Sequence, residues 1–323
     1  MFSRLSQVAR HLSRPLPYSA TTFLRKTLLA NASMAAKTAD ERASRAIHTA
    51  ACLIIGDEVL GGKTKDTNSN YLAKWCFGLG INLKRIEVIE DDESEIIEAV
   101  RRMSERYDFV VTSGGIGPTH DDITYKSIAK AFDLPLVLHQ EAYALMKKLS
   151  TAPRGQAPFN WDEDSPARRA KLRMVELPTD KSRPLEKQVI FPQPHLWVPV
   201  AIVNGNIHIL PGVPRLFENL LEGITASILP RLEGKSTFRI TISTPLPESA
   251  VAEYLTGLAE RVGPHGVKVG SYPTWGKKKN KVTLVGKDKE FLDSIAPEVV
   301  ANVEGEIEKP GGESDDVSTE ETK

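Results

Sequence analysis

Along the first two thirds of the chain, stretches with every position apolar alternate with stretches apolar at every third or fourth position. Ala51–Ile55 (ACLII) and Phe109–Val111 (FVV) are unbroken apolar runs of the kind a parallel sheet buries on both faces. Leu83–Ile89 reads as a further strand. Between them, Tyr71–Leu79 has helical spacing and ends at Gly80. Glu93–Arg106 places Ile96, Ile97, Val100 and Met103 on one helical face. After Phe109 a third helix runs through Lys126, Ile128, Ala131 and Phe132, with Thr119-x-x-Asp122 read as its capping box. Strands alternating with helices of this length predict right-handed βαβ units and an α/β fold with a doubly wound, mostly parallel sheet.

The pattern changes further on. Thr151–Pro199 contains eight prolines and the basic residues Arg168, Arg169, Lys171 and Arg173, which predicts a long irregular insertion. Its basic cluster reads as a solvated surface, with contact to a ligand phosphate as the alternative. Val200–Val203 and Ile207–Leu210 flank Asn204-Gly205, a hairpin signal, and Leu210-Pro211-Gly212-Val213-Pro214 leads into a helix over Arg215–Ile224. Phe238–Thr244, Glu248–Val262, Val267–Tyr272, Lys281–Val285 and Lys289–Val303 then read as strand, helix, strand, strand, helix. That is a small ferredoxin-like α+β module. The expected organisation is a main domain over 47–230 with its insertion at 151–199, the module over 236–308, and flanking segments at 1–46 and 309–323.

Composition adds three points. Forty-two basic and 42 acidic residues cancel, so no basic excess points to nucleic acid, and no apolar run of about 20 residues is present to span a membrane. Two cysteines, Cys52 and Cys76, have neither disulfide nor zinc spacing and read as small core residues in a reducing compartment. Charge is uneven, however. Met1–Ala39 holds four arginines, two lysines and no acid, with Leu5, Val8 and Leu12 on one helical face. This predicts a mitochondrial transit peptide, or else a plain basic tail, and Met34 offers a second start for a cytosolic form. Glu304–Lys323 carries eight acids against two lysines and reads as a disordered acidic tail.

The candidate chemistry lies in Gly114-Gly115-Ile116-Gly117-Pro118-Thr119-His120-Asp121-Asp122. A strand, a glycine turn and a helix N-terminus together favour a bound phosphate. Asp121 and Asp122 would repel one unless a divalent cation lay between them. Alternatively, Gly115 and Gly117 only make a turn, and Thr119 and Asp122 only cap a helix. The loop Gly56–Asn68 and the loop Glu90-Asp91-Asp92 belong to the same carboxyl edge of the sheet, where such folds bind ligands.

Together, Gly56-Asp57-Glu58-Val59-Leu60-x-Gly62 with Asp66-Thr67-Asn68, the glycine turn with Thr124, and Leu210–Pro214 resemble the molybdopterin-binding (MoCF) superfamily. Within it the chain is similar to the CinA-type branch and to the molybdopterin-binding-like domain of eukaryotic FAD synthases. The resemblance covers roughly Ala51–Ile224, and the trailing module resembles the piece that follows in the CinA branch. Phe191-Pro192-Gln193-Pro194 and Trp197–Val200 depart from the CinA pattern toward the FAD synthase domain. No ATP-pyrophosphatase-type glycine–serine loop follows, so FAD synthesis is not expected of this chain, and neither is a CinA-type deamidase.

The resemblance implies a metal-dependent dinucleotide pyrophosphatase that uses Mg, Mn or Co and cleaves FAD to FMN and AMP. ADP-ribose is the second substrate, and molybdopterin binding or adenylylation, or non-catalytic nucleotide binding, are the alternatives. A homo-oligomer is expected on the same ground. Asp57, Asp91 and Asp122 are then candidate metal ligands or water-orienting groups, one per loop, with Asp121 the alternative to Asp122 and with Asp92 or Glu93 able to replace Asp91. Glu58 is a candidate general base or a partner for a backbone amide. Gly114, Gly115, Gly117 and Thr119 would hold the diphosphate. Asn68 would fix a ribose or phosphate oxygen or cap its helix, with Asp66 able to cap instead. Pro211 and Gly212 would shape the ligand wall, and His120 is expected to be exposed.

Overall fold

The reason Ala51–Ile55 shows no polar alternation is that its strand has a neighbour on either side and helices on both faces. The computed structural model describes residues 38–150, 159–234, 236–273 and 279–308. The basic N-terminal segment with Met34, Lys277, Lys278 and the acidic tail from 309 lie outside them. A short helix, α1 (Ala39–Ser44), precedes strand β1 (Thr49–Ile55), one-turn helix α2 (Asp57–Leu60), α3 (Asn68–Gly78) and β2 (Asn82–Ile89). There follow α4 (Glu93–Arg106), β3 (Phe109–Ser113), α5 (Thr124–Ala131), β4 (Leu136–Leu138) and α6 (Gln140–Leu149). Then come α7 (Pro166–Leu172), β5 (Glu176–Pro178), β6 (Val189–Ile190), β7 (Val200–Val203), β8 (Ile207–Leu210) and α8 (Pro214–Ile228).

The main sheet has six strands in the order β2-β1-β3-β8-β7-β6. β2, β1, β3 and β8 are parallel, and β7 runs antiparallel to both its neighbours. This is the mostly parallel α/β sheet expected. Ala51, Cys52 and Leu53 are fully buried. Cys52 and Cys76 are free and buried, and burial pushes the Cys76 thiol up to about 12.

α3 and α8 pack together: Trp75 Nε1 donates to Thr225 Oγ1 at 3.1 Å, and Tyr71 Oη donates to Glu222 Oε1 at 2.8 Å. α4 and α5 pack together as well, with Arg101 Nε donating to the Ala131 carbonyl at 2.7 Å. From β1 the chain crosses to β2 on one side, and from β2 it returns past β1 to β3 on the other. Right-handed crossovers in opposite directions put the two helix pairs on opposite faces. They also leave a crevice between the carboxyl ends of β1 and β3, the position where an open α/β sheet takes its ligand.

The insertion is more ordered than its prolines suggested. Pro166 stands at the start of α7, where the missing N–H costs nothing, and Ser165 caps that helix by accepting from the Arg168 N–H at 3.2 Å. β5 pairs antiparallel with β4. Within the basic cluster, Lys171 Nζ lies 5.1 Å and 5.7 Å from the ring centres of Phe159 and Trp161, and Arg169 pairs with Asp164. The Asn204-Gly205 turn has both φ angles positive, at 51° and 78°, as its hairpin requires.

The second module contains β9 (Phe238–Thr244), α9 (Glu248–Val262), β10 (Lys268–Tyr272), β11 (Asn280–Gly286), α10 (Lys289–Asn302) and β12 (Glu306–Ile307). Its antiparallel sheet has the order β10-β11-β9-β12, a βαββαβ unit. The two-residue β12 was not legible, because it lies where the acidic tail begins.

Two glycines test this geometry in opposite senses. A Cβ on Gly114, at φ 112°, would lie 2.1 Å from the Ile55 carbonyl oxygen. Gly114→Ala is therefore expected to cost at least about 3 kcal/mol in urea denaturation. Gly257, in mid-helix α9, has nothing within 4 Å of such a Cβ, and Gly257→Ala is expected to stabilise by about 0.5–1 kcal/mol.

Candidate functional site at the carboxyl edge of the sheet

Two aspartates tie the loops after β1 and β2 together. The Asp57 N–H donates to Asp91 Oδ2 at 3.0 Å, and the Asp91 N–H donates to Asp57 Oδ1 at 3.3 Å. Each carboxylate thus spends one oxygen on the other's backbone. The Glu58 carboxylate folds back over Gly56, with Oε2 2.8 Å from where a Cβ on that glycine would stand.

The loop after β3 is built from backbone. Gly114 donates its N–H to the Leu210 carbonyl at 3.2 Å, and Gly115 takes a left-handed conformation at φ 64°. Thr124 fastens the turn, its hydroxyl donating to the Gly114 carbonyl at 2.9 Å and its N–H to the Gly115 carbonyl at 3.0 Å. Gly212 stands against this turn, its Cβ position 3.3 Å from Gly114 Cα. Asp91 Oδ1 lies 3.4 Å from the Cβ position of Gly115, which puts a carboxylate directly over the turn. Among the described residues the Gly115 and Ile116 N–H groups meet no acceptor.

Three expectations need correction. Asp122 accepts from the Gly117 N–H at 2.6 Å, the Thr119 N–H at 2.8 Å and the Thr119 hydroxyl at 2.5 Å. Both its oxygens accept hydrogen bonds from its own loop, so Asp122 is a turn-holding residue. For the same reason Gly117 and Thr119 have no donors left for a diphosphate, and the free amides belong to Gly115 and Ile116. Finally, Thr119-x-x-Asp122 does not cap α5. The helix begins at Thr124, after Ile123, which gives no side-chain cap. The spacing that resembles a capping box instead closes a self-contained turn.

Asp121 is exposed, and His120 is 97% exposed with Nδ1 3.9 Å from Asp121 Oδ1. Among the described residues no three His, Cys, Asp or Glu side chains come together as a metal cage. The ligand set Asp57, Asp91 and Asp122 (or Asp121) is therefore not assembled, although the Asp57–Asp91 pair is. Asp92 accepts from the Ser94 and Glu95 N–H groups at the start of α4, and Glu93 pairs with Lys126 and Lys130, so neither replaces Asp91. Burial, together with the charges of Asp57, Glu58 and Asp121, raises the Asp91 carboxyl above the ordinary range, against the lowering effect of the Asp57 amide.

Asn68 does not cap α3. Asp66 does, accepting from the Ser69 N–H at 3.0 Å. The Asn68 side chain is buried and donates through Nδ2 to Ser113 Oγ and to the Gly212 carbonyl, each at 2.9 Å. Ser113 was overlooked because it reads as the last residue of a buried strand.

Whether a divalent cation suits these residues is a question of donor chemistry. Asp57 Oδ2 and Asp91 Oδ1 are uncommitted hard oxygens in a locally over-negative setting, beside amides suited to phosphate. Mg²⁺ is typically held by one or two carboxylates, with substrate phosphates and water completing the shell. The residues fit that arrangement.

Residues 51–233 match the family described as "Probable molybdopterin binding domain", and residues 236–310 match "FAD synthase, middle domain". A "Probable FAD synthase" of Caenorhabditis elegans is 33% identical over 264 residues, 80% of this chain and 50% of that protein. The Caenorhabditis briggsae protein of the same description is 34% identical, over 76% of this chain and 48% of that one. The chain thus spans about half the length of these curated relatives. The solved structure of "the protein CinA with unknown function" from Thermoplasma acidophilum is 32% identical, covering 56% of this chain and 98% of its own, with a TM-score of 0.46.

The Asp91 environment has a measurable consequence. A carboxyl raised in the folded state favours folding when protonated and opposes it once ionised. Asp91→Asn keeps an acceptor for the Asp57 N–H and removes the charge. In EDTA the variant should melt higher than wild type at pH 7, and the gap should close as the pH falls below the ordinary aspartate value of 3.8. Stabilisation by added Mg²⁺ should be reduced in the variant, read in the same melting experiment.

Proposed function

This chain belongs to the molybdopterin-binding domain family, and from that premise we propose that it is a metal-dependent dinucleotide diphosphatase of flavin nucleotide metabolism. The proposed reaction is FAD + H₂O → FMN + AMP. The observation that carries the reading is the Asp57–Asp91 clasp set against the glycine turn, with Asp91 Oδ1 3.4 Å from the Cβ position of Gly115. Uncompensated carboxylates beside free amides make sense when a cation and a phosphate enter together. The flavin assignment is supported by the match of residues 236–310 to the FAD synthase middle domain and by the nematode relatives.

Asp57 and Asp91 would hold the cation, Mg, Mn or Co, which when bound supplies charge neutralisation at the diphosphate and a more acidic water. The Gly115 and Ile116 amides bind the non-bridging oxygens and favour the charge that grows on them. The Asp57–Asp91 clasp keeps the two carboxylates in register with that turn. Glu58, next to Asp57, is the group that takes the proton from the attacking water. A mitochondrial location, read from the basic segment before Ala39, and a homo-oligomeric state belong to the same proposal.

The family's description favours one other ligand, a pterin, and molybdopterin adenylylation from ATP is the reading that would replace this one. Purified protein is expected to convert FAD to FMN and AMP with Mg, Mn or Co, resolved by chromatography, with ADP-ribose the slower substrate. Asp57→Ala and Asp91→Ala should each lower kcat/KM by roughly 100-fold or more with the fold retained. A folded wild type that leaves FAD intact with all three metals would overturn the proposal.

A further inference from the structure

The Gly212 carbonyl can only accept a hydrogen bond, so the atom of Asn68 that faces it at 2.9 Å is the amide nitrogen. The same nitrogen donates to Ser113 Oγ. Chemistry therefore fixes the orientation of this side chain, and its oxygen is the atom left over. Asn68 is 6% exposed, and Oδ1 is buried with no partner among the described residues. A buried acceptor without a donor is a costly group to retain. Its side chain joins the start of α3 to the end of β3 and to Gly212, which itself stands against the Gly114 turn.

We infer that Asn68 is a specificity residue whose Oδ1 accepts a hydrogen bond from a hydroxyl or N–H group on the non-phosphate part of the ligand. The inference deepens the proposed function and rests on it for the identity of the site. With both Nδ2 hydrogens committed to Ser113 and Gly212, Asn68 has no donor to offer a phosphate oxygen. Phosphate recognition falls instead to the amides of Gly115 and Ile116. The division is chemical: backbone donors take the diphosphate, and one fixed side-chain acceptor selects a ligand that carries a sugar or a base. A nucleotide satisfies both and inorganic pyrophosphate satisfies only the first. A site that leaves a buried polar group unpaired discriminates against a ligand lacking its partner.

The test is a ratio of affinities. Binding of FAD, ADP-ribose, AMP and inorganic pyrophosphate is measured by calorimetry with Ca²⁺, to limit turnover, for wild type, Asn68→Ala and Ser113→Ala. Asn68→Ser replaces the alanine variant if that one does not fold. Wild type is expected to prefer nucleotides to pyrophosphate, and Asn68→Ala to shrink that preference about tenfold. Ser113→Ala removes one Nδ2 partner but keeps Oδ1, so it should leave the preference in place. A role confined to holding the Gly212 turn would weaken all ligands in proportion, and that result overturns the inference, as does a wild type that binds pyrophosphate as tightly as every nucleotide. Nucleotide binding with the expected ratio but no hydrolysis in Mg²⁺ would overturn the diphosphatase and leave Asn68 as assigned. Absence of binding by any of the four overturns both.

Discussion

The close approach of the Gly114 backbone to the Ile55 carbonyl governs the rest of the structure. A side chain there would stand 2.1 Å from that oxygen, so β1 and β3 run side by side to their last residues only because position 114 is bare. That contact leaves no room for a side chain over the crevice. It also turns the chain so that Gly115 adopts φ 64° and Gly212 comes within contact of Gly114 Cα. Three loops that are far apart in sequence meet because their strands end level with one another. The parallel register pairs Ile54 with Ser113 and Ser113 with Leu210.

The electrostatics of that edge follow from the same crowding. Asp57 and Asp91 are held by each other's amides, an arrangement that stabilises the loops but concentrates negative charge. Burial first, and then the charges of Asp57, Glu58 and Asp121, raise the Asp91 carboxyl. Lys126 and Lys130 pair with Glu93, and no ion pair joins Asp57 or Asp91 to Lys63 or Lys65 of the first loop among the described residues.

Much of this was legible in the residues. Apolar runs without alternation announced a sheet covered on both faces, and Asn204-Gly205 announced its hairpin. Glycines at 114 and 115 announced a turn that side chains cannot make. The direction of individual hydrogen bonds was not legible. Thr119-x-x-Asp122 has the spacing of a helix cap, and only the backbone angles between them decide that Asp122 closes its own turn and that α5 starts two residues later. Asn68 posed a similar choice, since an Asx residue before a helix reads as its cap. The cap is Asp66, and Asn68 is drawn inward because Ser113 and the Gly212 carbonyl offer it two acceptors. In the insertion, short elements beginning or ending on Pro166 and Pro178 hid behind residues that usually mark loops.

The two ends of the main sheet are finished in different ways. At the amino edge, Asp108 accepts from the His48 and Thr49 N–H groups and from the Thr49 hydroxyl, and pairs with Arg45. Arg231 donates to the Arg42 and Arg45 carbonyls, and Asn206 donates to the Ser104 and Tyr107 carbonyls. Polar groups there find partners within the chain. Among the described residues, the Gly115 and Ile116 amides and Asn68 Oδ1 at the carboxyl edge do not, and Thr112, Tyr125, Ser127 and Arg168 also carry buried polar atoms without partners. Folding alone would favour removing such groups, because each costs about 1–3 kcal/mol when left unpaired. The amides of Gly115 and Ile116 and Asn68 Oδ1, on adjoining turns of one edge, are thus polar groups that the fold itself leaves unanswered.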